Sequence, residues 1–278
     1  MTYSTIPGRA SGHIPPLTAR SETPANDGMP YAATSIRPSQ IPATDAKGSR
    51  ICSYGISAQL ADGTISEFDH LAPAELSLED ICANVARGTL IATRDGDTAV
   101  EDLRPGDLIK TRDNGYVALR WISCCTLPDQ GGNDGGPHHP LRIRADALGY
   151  QRPSHDLLVS PRFRYLSNHP SCTRLYGSPE TLAPVVDLVD DGSVLRVRPS
   201  PDLMFYNLMF DRHQIFMANG LETESYHPGE YGVSMLTLEQ VSHLRRILVH
   251  LGGDLGKLGP MARPALRGFE GPAPRRAG

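Results

Sequence analysis

The chain has 278 residues, with 27 Lys and Arg against 31 Asp and Glu and an apolar content of 39%, below the roughly 45–50% of an ordinary globular chain. Its 27 Gly and 24 Pro are too dense for a helical bundle, and the length suits one domain of about 100–200 residues with tails. The near-neutral charge removes the main argument for a nucleic-acid partner, and no run approaches the roughly 20 apolar residues of a membrane helix. The longest, Leu203 to Phe210, is short and interrupted by Asn207. The opening MTYSTIPGRASGHIPPL lacks the basic start and apolar stretch of a secretory signal, which leaves cytoplasmic residence and leaderless export both open. Cys52, Cys82, Cys124, Cys125 and Cys172 are too few and too scattered for a disulfide framework.

In chain order, residues 1–50 are rich in Pro, Ser and Thr without apolar periodicity and read as a disordered leader. Residues 51–79 read as a weakly structured linker, closed by a short helix over Ser77 to Val85 with Ser77 and Asp80 at capping spacing. Asp95-Gly96, between Thr89 to Thr93 and Thr98 to Val100, predicts a tight hairpin. Arg104-Pro-Gly-Asp107 predicts a turn, and Asp113-Asn-Gly115 a second hairpin joining Leu108 to Thr111 with Tyr116 to Ile122. Trp121, the only tryptophan, is expected to anchor the core. Gln130 to Gly136 reads as a loop, followed by strands at Leu141 to Ile143, Asp156 to Val159, Val194 to Val197 and Met204 to Phe210. Asn219-Gly220 marks a further turn. Thr237 with Gln240 makes a capping pair for one amphipathic helix within 233–252, apolar at Leu238, Val241, Leu244, Leu248 and Leu251 and stopped by Gly252-Gly253. Residues 253–278 read as a disordered tail. The fold class is mainly β: a curved, hairpin-rich antiparallel domain over 80–232, followed by that helix.

Four segments in one order carry a resemblance. They are Gly88 to Gly96; Val100 to Leu108 running into Arg112 to Gly115 and Leu119 to Ile122; Asp156 to Pro161; and Leu208 to Gln214 with Ala218 to Leu221 and Glu224 to Gly229. Together they resemble the Hint family, the Hedgehog/intein autoprocessing fold, and within it the bacterial Hint proteins that carry the domain near their C-terminus. The resemblance implies a self-processing reaction. A Cys at the start of the domain attacks the preceding peptide carbonyl to form a thioester, and a His in a TxxH-like motif protonates the leaving amide nitrogen.

The chain departs from that pattern at both places. The family's Cys stands four residues before the Gly-Thr pair, where this chain has Asn84, and its His stands three after a Thr or Ser, where Ser160-Pro-Arg-Phe163 has Phe163. A carboxamide forms no thioester and phenylalanine carries no proton to give. Cys82 lies two residues early; a shifted strand start keeps it on the same face and would make Ile81–Cys82 the scissile bond, the alternative being a buried, incidental thiol. Asp211-Arg-His213 resembles the family's C-terminal block, where an Asp or His approaches the nucleophile; Asp211 reads equally as a turn residue capping backbone amides. Inteins end in His-Asn where this chain has Glu224-Ser225, so single cleavage is the most to be expected. A third route has Asn84 cyclise on its own carbonyl and cut after itself.

The candidate site residues are therefore Cys82, Ser160, His213 and Asp211, with Asn84 and Phe163 at the substituted positions. The favoured reading is a degenerate self-processing module acting as a structural or interaction domain; the alternative is cysteine-dependent cleavage at Ile81–Cys82, releasing the leader with the chain's own polypeptide as substrate. No cofactor is expected. No metal site is expected either: Cys124-Cys125 and His138-His139 are adjacent pairs that point to opposite faces of a strand, and His243 and His250, about 10 Å apart along the helix, read as surface residues. The scattered arginines, including Arg142, Arg144, Arg152, Arg162, Arg164 and Arg174, read as solvated surface without the aromatic partners of a nucleic-acid site.

Overall fold

A computed structural model describes residues 43–44, 50–74, 76–127, 138–190, 192–198, 200, 203–228 and 236–266. The strands in chain order are β1 (Ala43–Thr44), β2 (Arg50–Gln59), β3 (Ile65–Pro73), β4 (Val85–Ala86), β5 (Leu90–Thr93) and β6 (Gly96–Ala99). They continue as β7 (Leu108–Thr111), β8 (Gly115–Ala118), β9 (Trp121–Thr126), β10 (Leu141–Ile143), β11 (Leu157–Val159) and β12 (Arg164–Ser167). The last are β13 (Thr181–Pro184), β14 (Val194–Arg196), β15 (Met204–Met209), β16 (Ile215–Ala218) and β17 (Leu221–Glu224). Helices are α1 (Leu76–Cys82), α2 (Ser171–Tyr176) and α3 (Leu238–Ile247). One sheet has nine strands, ordered β1-β2-β9-β15-β4-β11-β10-β14 with β3 on β2; the other has eight, ordered β13-β12-β17-β16-β5-β7-β8 with β6 on β5. The strand pairs are antiparallel throughout, which makes the chain the mainly β fold its turn signals predict.

The turns form where local chemistry favours them. Thr93 pairs Gly96 and Thr111 pairs Gly115, closing the two expected hairpins. Asn219 and Gly220 both take positive φ (46° and 79°) and join β16 to β17 with Ala218 opposite Leu221, the left-handed pair that a tight hairpin of native twist needs. Glycine is required there on a second ground, since a Cβ at Gly220 would lie 2.8 Å from the Gln151 carbonyl oxygen.

Two apolar cores sit on either side of the nine-stranded sheet. The first gathers Val85, Ile91, Ile109, Ile122, Val159, Phe163, Leu208 and Phe216, among others. The second gathers Tyr54, Ile56, Trp121, Phe205 and Met209 with Leu78, Ile81 and Cys82 from α1 and Leu244 and Ile247 from α3. Central strands buried on both faces read as continuous apolar runs rather than alternating ones, which accounts for Trp121-Ile-Ser-Cys-Cys125 and Phe205-Tyr-Asn-Leu-Met209. Cys124 faces the first core and Cys125 the second. Trp121 is wholly buried and its indole N–H donates to the Ile247 carbonyl at 2.9 Å, tying α3 to the sheet.

Several expectations need correction. Residues 51–79 are no linker: β2 and β3 pair along their whole length from Ile51 opposite Pro73 to Gln59 opposite Ile65, and β2 joins β9. Tyr54, Ile56 and Ala58 of β2 are buried in the second core, which supplies the stabilisation a linker lacks. The short helix starts at Leu76, so Ser77 lies inside it rather than capping it, and it ends at Cys82, before Val85. The capping box of Thr237 and Gln240 is present, but the α-helix ends at Ile247 and gives way to a single 3-10 turn, Val249–Leu251, capped by left-handed Gly252. Leu238 is 91% exposed and is not part of the buried stripe. Of the expected tail, residues 253–266 are structured, with a 3-10 turn at Leu255–Leu258 and a bridge from Ala265 to Leu182. The loop at 130–136, the tail beyond 266, and the leader apart from 43–44 and residue 50 lie outside the described residues. His243 and His250 are partly buried: His243 Nδ1 lies 2.8 Å from His70 Nε2, and His250 packs near the Trp121 ring. No described helix is long and apolar enough to cross a membrane.

Candidate functional site

Where β4 enters the sheet, the backbone brings together three of the sequence-selected segments. Asn84 precedes β4; its N–H donates to the Tyr206 carbonyl at 3.0 Å, and its carbonyl accepts from the Ser160 amide at 2.8 Å. Its side-chain Nδ2 donates to the Glu224 carbonyl at 3.2 Å. Asn84, Ser160 and Glu224, 7%, 3% and 8% exposed respectively, thus close a buried polar cluster between the sheets. The Asn84 amide is engaged with the Glu224 main chain.

The Glu224 carboxylate extends the cluster. Arg164 Nε donates to Oε1, and His213 Nε2 lies 3.1 Å from Oε2. The register sets this up: Tyr165 pairs Thr223 across β12 and β17, which places Arg164 directly opposite Glu224 as a cross-strand charge pair. His213 is 4% exposed, and both ring nitrogens have partners. The Ala262 amide donates to Nδ1 at 3.0 Å, so Nε2 carries the proton and donates it to the Ser225 carbonyl at 3.0 Å. The His227 ring lies 5.2 Å away, centroid to centroid, and burial lowers its basicity.

Phe163 occupies the position after Ser160-Pro-Arg. It is 1% exposed and packs in the first core, its N–H held by the Ser160 carbonyl and its carbonyl by the Val185 amide. The neighbouring Arg162 reaches the other way and pairs with Asp80 of α1 at 2.7 Å. Burial pushes Asp80 up to about 7 against the pull of Arg162.

Two other sequence-selected residues sit elsewhere. Cys82 ends α1, so the two-residue period of a strand does not carry its side chain to the face of Asn84. It lies in the second core, fully buried, and burial pushes its thiol up to about 12, partly offset by a hydrogen bond from Ser123. The last carbonyls of α1, which lack helical partners, are satisfied by side chains: Asn207 Nδ2 donates to Ile81 O at 2.9 Å and Ser123 Oγ to Cys82 O at 3.3 Å. Asp211 is on the surface, paired with Arg120 at 2.9 Å and not with His213. Of the arginines read as solvated surface, Arg142, Arg152, Arg162 and Arg164 have carboxylate partners.

Glu224 and Arg164 are the members of the cluster that sequence reasoning passed over; Glu224 stood at a flagged position, and only strand register identifies its partner. All five cysteines are buried thiols. Among the described residues, no three His, Cys, Asp or Glu side chains gather closely enough to hold a metal ion.

No curated protein and no solved structure matches this chain. A family model described as Hint domain matches residues 83–230, a span that opens one residue before Asn84, takes in Ser160, Phe163, His213 and Glu224, and closes beyond β17. The chain belongs to the Hint domain family.

Proposed function

We propose that this Hint domain works as a structural or interaction module in which the groups for self-processing are replaced by packing and hydrogen bonding. The observation that carries this reading is Asn84 itself: at the position of the expected nucleophile, its amide nitrogen bonds the Glu224 main chain and its carbonyl bonds Ser160. Phe163 gives the first core a buried ring where the reaction requires a proton donor. His213 has both nitrogens committed, to the Ser225 carbonyl and the Ala262 amide, and serves as a brace between the end of β17 and the C-terminal segment.

A second reading, cleavage at Ile81–Cys82, has one feature in its favour. The Ile81 carbonyl already accepts a hydrogen bond from Asn207, as a carbonyl under attack would need. In that reaction Cys82 Sγ bonds to the Ile81 carbonyl carbon, the C–N bond breaks, and a proton passes to the Cys82 nitrogen. The thiol is poorly suited to it, since a group at about 12 is ionised to roughly one part in 10⁵ at pH 7.

Intact mass of freshly made full-length protein, with and without hydroxylamine, separates the two. The module reading predicts the full-length mass in both. A fragment beginning at Cys82 that disappears in the Cys82→Ala variant establishes the second reading.

A further inference from the structure

Beyond the 3-10 turn at Leu255–Leu258, the chain turns at Gly259 (φ 67°) and runs back along the open edge of β13. The Leu182 amide donates to Pro264 O and the Leu266 amide to Leu182 O, both at 2.8 Å, giving a parallel bridge between Leu182 and Ala265. Ala262 N–H seats on His213 Nδ1 and the Gly259 carbonyl lies 2.9 Å from His227 Nε2. Met261, Ala262 and Ala265 pack on Leu166, Leu182 and Ile215, a small cluster apart from the two main cores.

One side chain is gripped by charge. Arg263 Nε donates to Glu180 Oε2 at 2.8 Å and Nη2 to Asp113 Oδ1 at 2.7 Å, while Nη1 caps the Ala262 carbonyl. Glu180 is in turn held by Arg112. Main-chain pairing to a sheet edge, shallow apolar contacts and one arginine in an acidic pocket are the components by which a sheet edge recognises an extended peptide. The segment is joined to α3 through Gly252, Gly253, Gly256 and Gly259, three of them at positive φ, a connection with the freedom to let it leave.

We infer that the β13 edge, with His213 and the Asp113–Glu180 pair, is a binding groove for an extended peptide carrying Arg-Pro, and that Gly259–Leu266 is its ligand in cis. A partner protein presenting such a segment displaces the strap, and displacement uncaps His213. This names the partner class of the interaction module and rests on that reading, but its test is independent of cleavage chemistry, which intact mass reports.

The test uses the full chain with a protease site inserted between Gly252 and Gly253. After cutting, the C-terminal piece is expected to stay bound and to exchange with a labelled synthetic peptide of residues 254–278, and an Arg263→Ala peptide to bind about tenfold more weakly or worse. Binding without dependence on Arg263, or loss of the near-ultraviolet signal of the cut protein, overturns the proposal. In the uncut chain, the Leu182 and Leu266 amides are expected to exchange with solvent about tenfold or more faster than those of β9 and β15. Equal rates would mean that the strap opens only with the whole domain, and would overturn it likewise.

Discussion

The main-chain carbonyl of Asn84 accepts a hydrogen bond from the Ser160 amide at 2.8 Å. The segment entering β4 and the segment following β11 are thus joined through backbone, while the side chain of Asn84 turns to Glu224. Replacing Asn84 by Ala leaves that bond unmade and is expected to cost about 1–2 kcal/mol of stability without altering the intact mass, measured by urea unfolding. A change in mass accompanying the substitution would mean that Asn84 has a chemical role.

Phe163 tests the same substitution from the packing side. A histidine at this 1%-exposed position places an imidazole among Val159, Val185 and Phe216. Phe163→His is expected to destabilise by about 1–3 kcal/mol, and Phe163→Ala by about 3–5 kcal/mol through the cavity left behind. A Phe163→His variant as stable as the parent would place a polar partner at this position.

Acidification should weaken the fold through its buried imidazoles. His70 is held down to about 4, first by burial and then by the charges of His243 and Arg246. His250 is also near 4, through burial and despite the opposing pull of Asp211. Both are kept neutral in the folded chain against about 6.5 when unfolded, so the stability they contribute is present above 6.5 and lost as pH falls through 4. Asp80 runs the other way: its folded value of about 7 against an ordinary value of 3.8 favours the fold at low pH, an advantage lost as pH rises through 7. His227, also lowered by burial, acts in the same direction as the two imidazoles, so the midpoint in urea should fall between pH 6.5 and 4, His70 and His250 each accounting for about 1–3 kcal/mol. His70→Gln should flatten the profile; a parallel profile would contradict the assignment.

The N-terminal hairpin lies outside the span that matches the family, yet β2 pairs β9 from Gly55 opposite Cys124 to Ala58 opposite Trp121. A chain beginning at Ala83 lacks β2, β3 and α1 and uncovers the apolar face of β9 and β15. It is expected to bind a hydrophobic dye and to lose the buried-indole emission of Trp121. Native-like emission from that fragment would mean that the hairpin is an appendage.

What could be read from the sequence was local. Asp95-Gly96, Asn219-Gly220 and the Thr237–Gln240 box specify their own geometry within a few residues, and each forms as expected. The β2–β3 hairpin carried the same kind of signal, alternating Cys52, Tyr54, Ile56 and Ala58 ahead of Asp62-Gly63. It was masked by the adjoining Pro- and Ser-rich stretch and by Ser53 and Ser57, which are buried as well. The strap along β13 has no local signature, because its bonds go to Leu182, His213 and Glu180, all distant in the chain. At the site, Asn84, Ser160, Phe163 and His213 were visible as a pattern. The Arg164–Glu224 pair was not, because two strands must register before those residues face each other.

The most direct measurement is the intact mass of full-length protein from fresh expression, incubated with hydroxylamine or excess thiol and sampled over days. An unchanged mass throughout is the result that the structural-module proposal predicts. A fragment spanning Cys82 to Gly278, formed faster with added nucleophile and abolished by Cys82→Ala, would contradict the account at its centre.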